Sequence, residues 1–515
     1  MALNASRAPF GSGRFLLGLA VLTLAALALL PLFSLLLFAW VDPVLRGLQL
    51  GASGRDQLLN TAALLLGVCT LSALLGTANG WLTANCRFPG KRWLRIAQLL
   101  PLACPAYLLA ATLVDLGSRN SWFIHGLPWA ISVLMLTTYP YVFLLSTESF
   151  AVSGRRQLEA CRSLGVGPWG SFRRVALPMA LPAIGAGVAL TGMEVVNELG
   201  AVELLGVPTL SSGILQRWQN DGDPQGAVAL ALVALLIVVV LVAAERWLRR
   251  RSRRWLISAG GDGQPAWQLF GWRALVAQLL SLLPPLLSLG LPLIWVSQSL
   301  DQLQAEPVGE LLSLGWRSLA LGLVAVGLTL VVSLLLAVAK RWIAQPLVQR
   351  LSFLAGMGYA MPGTVLALAL MLFGGPWQLS PLLLLIWGYT DRFLAVAKGG
   401  LDAGLERLSP TVDEAATGLG CSWTEVLRRV HVPLLRGPLL VGGLLVFVDT
   451  VKELPLTFAL RPFDFDTLSV RVFQYASDER MGAALVPALM ILTLGLVAAL
   501  ALVPNLNVNS PVTED

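Results

Sequence analysis

Charge is scarce in this chain and histidine almost absent. Only 13% of its 515 residues are Asp, Glu, Lys or Arg, and His125 and His431 stand alone. The five cysteines (Cys69, Cys86, Cys104, Cys161, Cys421) form no C-x-x-C pair, so neither a disulfide framework nor a zinc site is indicated. Isolated histidines are usually structural. Also missing are the G-x-x-x-x-G-K-[ST] loop that cradles nucleotide phosphates, the H-E-x-x-H of zinc peptidases and the G-x-S-x-G nucleophile elbow. The chain is therefore expected to perform no chemistry of its own: not an enzyme, with no catalytic residues and no bound cofactor.

What is abundant is apolar surface. At 56% hydrophobic residues there is more of it than a soluble core can hide, which makes this a membrane protein whose first partner is the lipid bilayer. Stretches long enough to cross about 30 Å of hydrocarbon fall near 15–40, 58–84, 93–114, 127–147, 177–202 and 226–244. A second set falls near 272–297, 312–339, 351–373, 379–400, 432–460 and 482–503. The expectation is an all-α polytopic fold with about 12 transmembrane helices. The first stretch, flanked by Arg7 and Arg14, is too long for a signal-peptide core and lacks a small-residue cleavage site, so it is expected to be retained.

Arginine and lysine orient these spans. Arg87, Lys91, Arg92 and Arg95 follow the second; Arg155, Arg156, Arg162, Arg173 and Arg174 follow the fourth; Arg246 and the cluster from Arg249 to Arg254 follow the sixth. The alternate connections are poorer in basic residues and carry Asp42, Asp115, Asp221 and Asp223. This pattern places both termini in the cytoplasm. The net charge of +7 is met by the same rule and by anionic headgroups, without a nucleic-acid partner. Gly260 to Pro265 is composed as a flexible joint, dividing the chain into repeats at 1–255 and 256–515.

The division is reinforced by an internal duplication. Residues 159–199 align without a gap on 414–454 at a constant offset of 255, with 13 identities in 41 positions. Leucine and alanine matches are cheap in an apolar chain; matched Glu159, Arg173, Arg174, Pro178 and Glu198 are not. Six spans per repeat make the repeats parallel, related by a pseudo-twofold axis along the membrane normal. The duplicated loops, 155–178 and 410–433, then both face the cytoplasm. Residues 155–163 read as a short polar helix, Gly165 to Gly167 as a turn, and Pro168 as the first position of the next helix. One such loop would pass for an amphipathic segment resting on headgroups, but a matched pair suits docking to a pair of related partners.

A polar group lies near the outer end of the fifth span of each repeat. Glu194, Asn197 and Glu198 are spaced i, i+3, i+4 for one helical face, as are Asp449, Lys452 and Glu453. Ionisable residues inside a span usually face a cavity or a partner, and a hard cation favours carboxylate oxygen. Two readings stand: these six line a translocation path, or Asp449 with Lys452 is a local ion pair and the group marks the end of the span. No metal ligand set is assigned. Pro105 and Pro362, in the third span of each repeat, are placed to kink equivalent helices. The loop from Phe463 to Arg480 mixes acids with arginines, as a solvated loop or a contact surface would.

The spacing E-A-A, three residues, G, nine residues, an aliphatic residue, any residue and L-P resembles the cytoplasmic loop of binding-protein-dependent ABC importer permeases of type I. Glu159, Ala160, Gly165, Val175, Leu177 and Pro178 match it, as do Glu414, Ala415, Ala416, Gly420, Val430 and Pro433; Cys161 and Val432 depart from it. The resemblance implies the type I permease fold and coupling helices that sit in grooves of two copies of an ABC ATPase subunit. ATP and Mg would be bound by those subunits. Coupling would then rest on these matched residues and on the arginine pairs Arg173, Arg174 and Arg428, Arg429. The run Lys452-Glu453-Leu454-Pro455-Leu456-Thr457, with Arg461 to Leu468 and Tyr475 to Arg480, resembles the carboxy-terminal region of fused ferric-iron permeases. That implies uptake of Fe3+ from a periplasmic iron-binding protein across the bacterial inner membrane, although fused thiamine permeases share the plan. A gradient-driven secondary transporter and a membrane scaffold are the rival classes.

Overall fold

The computed structural model describes residues 11–41, 51–152, 155–253, 267–302, 307–343 and 345–507; the joint at 260–265, Asp42 and Arg254 lie outside them. Every expected apolar stretch is helical. Among the described residues eight helices are long and apolar enough to cross a membrane, and ten if each of two bent pairs counts as one span. The remaining two expected spans miss that test for separate reasons. Gly363–Gly374 is short because its span is broken. Pro381–Glu406 is long enough but carries Asp391, Arg392, Lys398, Asp402 and Glu406. The only strands among the described residues are Cys86–Arg87 and Trp267–Gln268, a two-residue parallel pair.

Both third spans break at the expected prolines. Cys104 and Met361 are extended, as a residue before proline must be, and helices Ala106–Arg119 and Gly363–Gly374 restart directly after Pro105 and Pro362. The first break turns the chain by 88°. A further bend of 76° separates Trp423–Leu434 from Arg436–Lys452, whereas its counterpart in the first repeat runs from Pro168 to Asn197 without such a bend. Pro438, which cannot donate to Leu434, lies just past this bend, whereas in the first repeat Pro182 is carried inside the continuous helix.

Each repeat lends its first span to the other. Gly11–Val41 packs on Val308–Trp342, Pro346–Ala355 and Gly363–Gly374, and Trp272–Pro285 with Leu291–Gln298 packs on Lys91–Ala97 and Ala106–Arg119. Within the first repeat, Gly51–Asn85, Leu127–Val152 and Leu177–Asn197 form a tight trio. Their inward stripe, Leu64, Val68, Ser72 and Gly76, is buried, while Leu66 and Leu74 face outward at 73% and 66% exposure. Small residues at such contacts let backbones approach, since lipid supplies no hydrophobic force to press helices together. A Cβ on Gly76 would lie 2.7 Å from Val142 Cβ, 2.8 Å from the Phe143 nitrogen and 3.0 Å from the Tyr139 oxygen, none of them the far end of a flexible side chain.

Gly76→Leu is therefore expected to lower the unfolding midpoint in detergent, at a cost of about 2 kcal/mol or more. Gly327→Leu, at a position with nothing within 4 Å of a Cβ, is the matched control and should leave the midpoint unchanged.

Candidate functional site: two cytoplasmic loops and a cavity between the repeats

The duplicated loops fold alike. Arg155–Ser163 and Pro410–Gly418 each end in a turn closed by matched bonds, Val166 N–H to Cys161 C=O at 2.9 Å and Cys421 N–H to Ala416 C=O at 3.1 Å. Gly165 and Gly420 sit in these turns at φ 73° and 84°, a region where a side chain is strained. Pro168 occupies the first helical turn of Pro168–Ser171. In the second loop a capping box does this work, Ser422 accepting from the Glu425 N–H and Glu425 from the Ser422 N–H. Hydrogen bonds from Ser422, foremost its backbone N–H, hold the Glu425 carboxyl below the ordinary range.

Beyond each turn the helix takes one π-type turn, Phe172–Ala176 and Leu427–His431, which carries the arginine pairs and leads to Pro178 and Pro433. Such bulges favour functional sites. Glu159, Ala160, Gly165, Arg173, Arg174 and Pro178 are all exposed, as are Glu414, Ala415, Gly420, Arg428, Arg429 and Pro433; Ala416 is buried. Leu164 and Leu419, aligned at the apex of the two turns, are 79% and 85% exposed. Each loop thus presents an apolar tip flanked by charge.

The six polar residues of the fifth spans also come together. Glu194, Asn197, Glu198, Asp449, Lys452 and Glu453 line one cavity of about 90 Å3 between the repeats, with Tyr107, Tyr141 and Arg392. The single-face geometry does not hold. Each helix stops at Asn197 or Lys452, the chain is extended at Glu198 and Glu453, and short helices restart at Gly200–Leu204 and Pro455–Leu460. The restart requires an acceptor for its free N–H groups. Glu198 accepts from Ala201 N–H at 2.9 Å; Glu453 accepts from Leu456 N–H and Thr457 N–H, each at 3.0 Å, and from the Thr457 hydroxyl.

Two aligned residues reach across the pseudo-twofold axis. Asn197 accepts from Gly363 N–H at 2.6 Å, and Lys452 donates to Leu102 C=O at 3.3 Å. Each therefore satisfies a backbone group freed by the broken third span of the other repeat. Lys452 also pairs with Asp449 at 2.9 Å, so the local ion pair and the cavity lining are both present. Arg392, 5% exposed, donates to Met361 C=O at 3.1 Å. Sequence reasoning passed over Arg392; the signal was an Asp391-Arg392 pair in the middle of an apolar stretch. Four carboxylates (Glu194, Glu198, Asp449, Glu453) thus share the cavity with two cationic side chains (Arg392, Lys452). No group of three or more His, Cys, Asp or Glu side chains suited to a metal ion occurs among the described residues. The Phe463 to Arg480 loop is tied down by Arg461 to Asp466 and by Arg471 to Glu310 at 2.9 Å, with Phe463 fully exposed.

Residues 76–254 match the family described as binding-protein-dependent transport system inner membrane component. The Fe(3+)-transport system permease protein FbpB 2 of Haemophilus influenzae is 28% identical over 452 residues, covering 84% of this chain and 87% of that protein. The molybdenum transport system permease protein ModB and the sulfate transport system permease protein CysT of Escherichia coli K12 are each 29% identical. They cover 36% and 46% of this chain but 92% of their own lengths. Most of a molybdenum or sulfate permease is thus matched by less than half of this chain.

Glu453→Ala leaves the Leu456 and Thr457 N–H groups without their acceptor and is expected to lower the unfolding midpoint in detergent, at about 1–2 kcal/mol. Glu453→Gln offers one acceptor oxygen where two N–H groups use separate carboxylate oxygens, and should recover only part of that stability.

Proposed function

We propose that this chain, a multi-pass inner-membrane permease of the binding-protein-dependent transport family, carries Fe3+ from a periplasmic binding protein into the cytoplasm. Two copies of an ABC ATPase, holding ATP and Mg, dock on loops 155–178 and 410–433, and both termini are cytoplasmic. The observation that carries the iron reading is the surplus of carboxylates over cationic side chains in the cavity, joined to a ferric relative that aligns across both repeats. A site for an oxyanion such as molybdate or sulfate would be expected to show the reverse balance.

The geometry supports a route for the force. ATP-driven closure of the ATPase pair draws the two loops together. Each loop continues through its π turn and the fifth span to Asn197 or Lys452, which hold the broken third span of the opposite repeat. Movement of one loop therefore shifts the cavity wall contributed by the other repeat, and the two bundles rock between outward and inward openings. Glu194 and Asp449, aligned across the axis, are the carboxylates not needed as helix caps. They offer the passing ion weak, exchangeable contacts, which conduction requires.

Reconstituted vesicles containing the permease, its ATPase and an iron-loaded binding protein should accumulate Fe3+ only with ATP. Uptake of thiamine or molybdate in place of iron would overturn the cargo. Transport driven by a proton or sodium gradient without an ATPase would overturn the class. Gly165→Asp with Gly420→Asp should abolish uptake. Glu194→Gln with Asp449→Asn should slow it by about tenfold or more, since a carboxylate about 4 Å from an ion contributes roughly 4 kcal/mol per unit charge before hydration is subtracted.

A further inference from the structure

The two docking loops are fastened to the membrane domain by different chemistry at the same aligned position. In the first loop the position is Leu158, 3% exposed, packed with Trp81, Phe150 and Ala176, and flanked by Phe172 and Trp267. Trp81 lies 5.1 Å from Phe172 and 5.5 Å from Phe150 between ring centres. In the second loop the aligned residue is Asp413, and Ala176 is replaced by His431. The Asp413 carboxylate accepts from Arg341 Nε at 2.7 Å and Trp342 Nε1 at 3.1 Å through one oxygen, and bonds His431 Nε2 at 2.7 Å through the other. The His431 ring is fully buried against Trp342, 5.3 Å between ring centres.

This clasp joins three elements that must move together. Arg341 and Trp342 end Val308–Trp342, Asp413 lies in the first turn of Pro410–Gly418, and His431 closes the π turn that leads to the cavity. Arg341 also donates to the carbonyls of Leu405, Leu408 and Ser409, fixing the approach to the docking helix. Burial opposes the ionised form of Asp413, but hydrogen bonds from Arg341, His431 and Trp342 outweigh it and hold the carboxyl below the ordinary range. The charge therefore persists across the physiological range. Lys340, the neighbouring cation, is engaged by Asp402 at 3.2 Å and Glu406 at 3.7 Å and does not substitute for Arg341. Polar bonds are directional and break over short displacements, whereas apolar packing tolerates sliding.

We infer that Asp413 is the positioning residue that ties the second docking helix to the spans behind it, adding a polar attachment to the apolar packing of Ala416 and Val426, so that the two loops couple unequally. The inference rests on the reading of these loops as ATPase-docking elements. It goes beyond that reading in assigning the two loops different attachments.

The test uses the permease assembled with its ATPase and a ferric-ion-loaded binding protein, measuring Fe3+ transported per ATP hydrolysed alongside the half-saturating ATPase concentration. Asp413→Asn should cut the transported ratio about tenfold, equivalent to about 1.4 kcal/mol of coupling, while leaving the half-saturating concentration within about twofold. Asp413→Glu, which restores the carboxylate, should recover at least half of the ratio. A merely structural role would reduce assembly and transport together with the ratio unchanged, and that result overturns the inference, as does an Asp413→Glu variant no better than Asp413→Asn. Should Asp413→Asn fail to fold, His431→Ala, which installs the residue found in the first loop, must still lower the ratio. If wild-type protein fails to bind an ATPase at all, the docking reading itself is lost, a failure distinct from unequal coupling.

Discussion

The architecture depends on how a membrane protein satisfies the backbone of a broken helix. Hydrocarbon offers no hydrogen bonds, and each unsatisfied peptide group there costs several kcal/mol. The third span of both repeats is broken at an X-Pro step, freeing backbone groups at a depth where lipid cannot serve them. The opposite repeat meets part of that need, Asn197 taking the Gly363 N–H and Lys452 reaching Leu102 C=O, while Arg392 of the same repeat secures Met361 C=O. A single repeat would leave such groups exposed. The cross-bracing therefore makes the two repeats one mechanical unit and fixes the cavity where the braces meet.

The same need explains why polar residues are concentrated there. Glu198 and Glu453 look like channel-lining acids, yet each caps a short helix that restarts after the fifth span. Both carboxylates also line the cavity, so the same side chains serve the backbone and the cavity wall. Glu194 and Asp449 cap neither of these helices, and Asp449 is held by Lys452. The cavity wall is of mixed sign with an acidic surplus, rather than a closed ligand cage. A permease has to release what it binds, and weak, partly compensated charge suits release.

Symmetry is followed closely at the level of the backbone and loosely in chemistry. The left-handed glycines, the π turns and the interrupted fifth spans recur at the same offset. The fastening of the loops does not: an aromatic cluster around Leu158 in one, a partly buried carboxylate clasp around Asp413 in the other. The bend at Leu435 is likewise confined to the second repeat. Duplicated halves of one chain are free to diverge in this way because each folds against a fixed neighbour.

Much of this was legible in the residues. Apolar runs set the helices, since a span must close its own hydrogen bonds; arginine placement set the expected orientation; Gly165, Gly420, Pro105 and Pro362 act through their own backbones and needed no neighbours to be read. The constant offset alone revealed two repeats and two loops. Tertiary structure decided what periodicity could not. Glu198 and Glu453 left the helical face assigned to them because each helix stops one residue before them and the chain turns extended there, where a restarting helix required a cap. Asn197 and Lys452 became braces because the opposite repeat's broken backbone lies within reach, and Asp413 became a clasp because Arg341, Trp342 and His431 converge on it from distant parts of the chain. Local sequence dictates which backbone groups go unpaired; only the packing of one repeat on the other determines which side chains answer them.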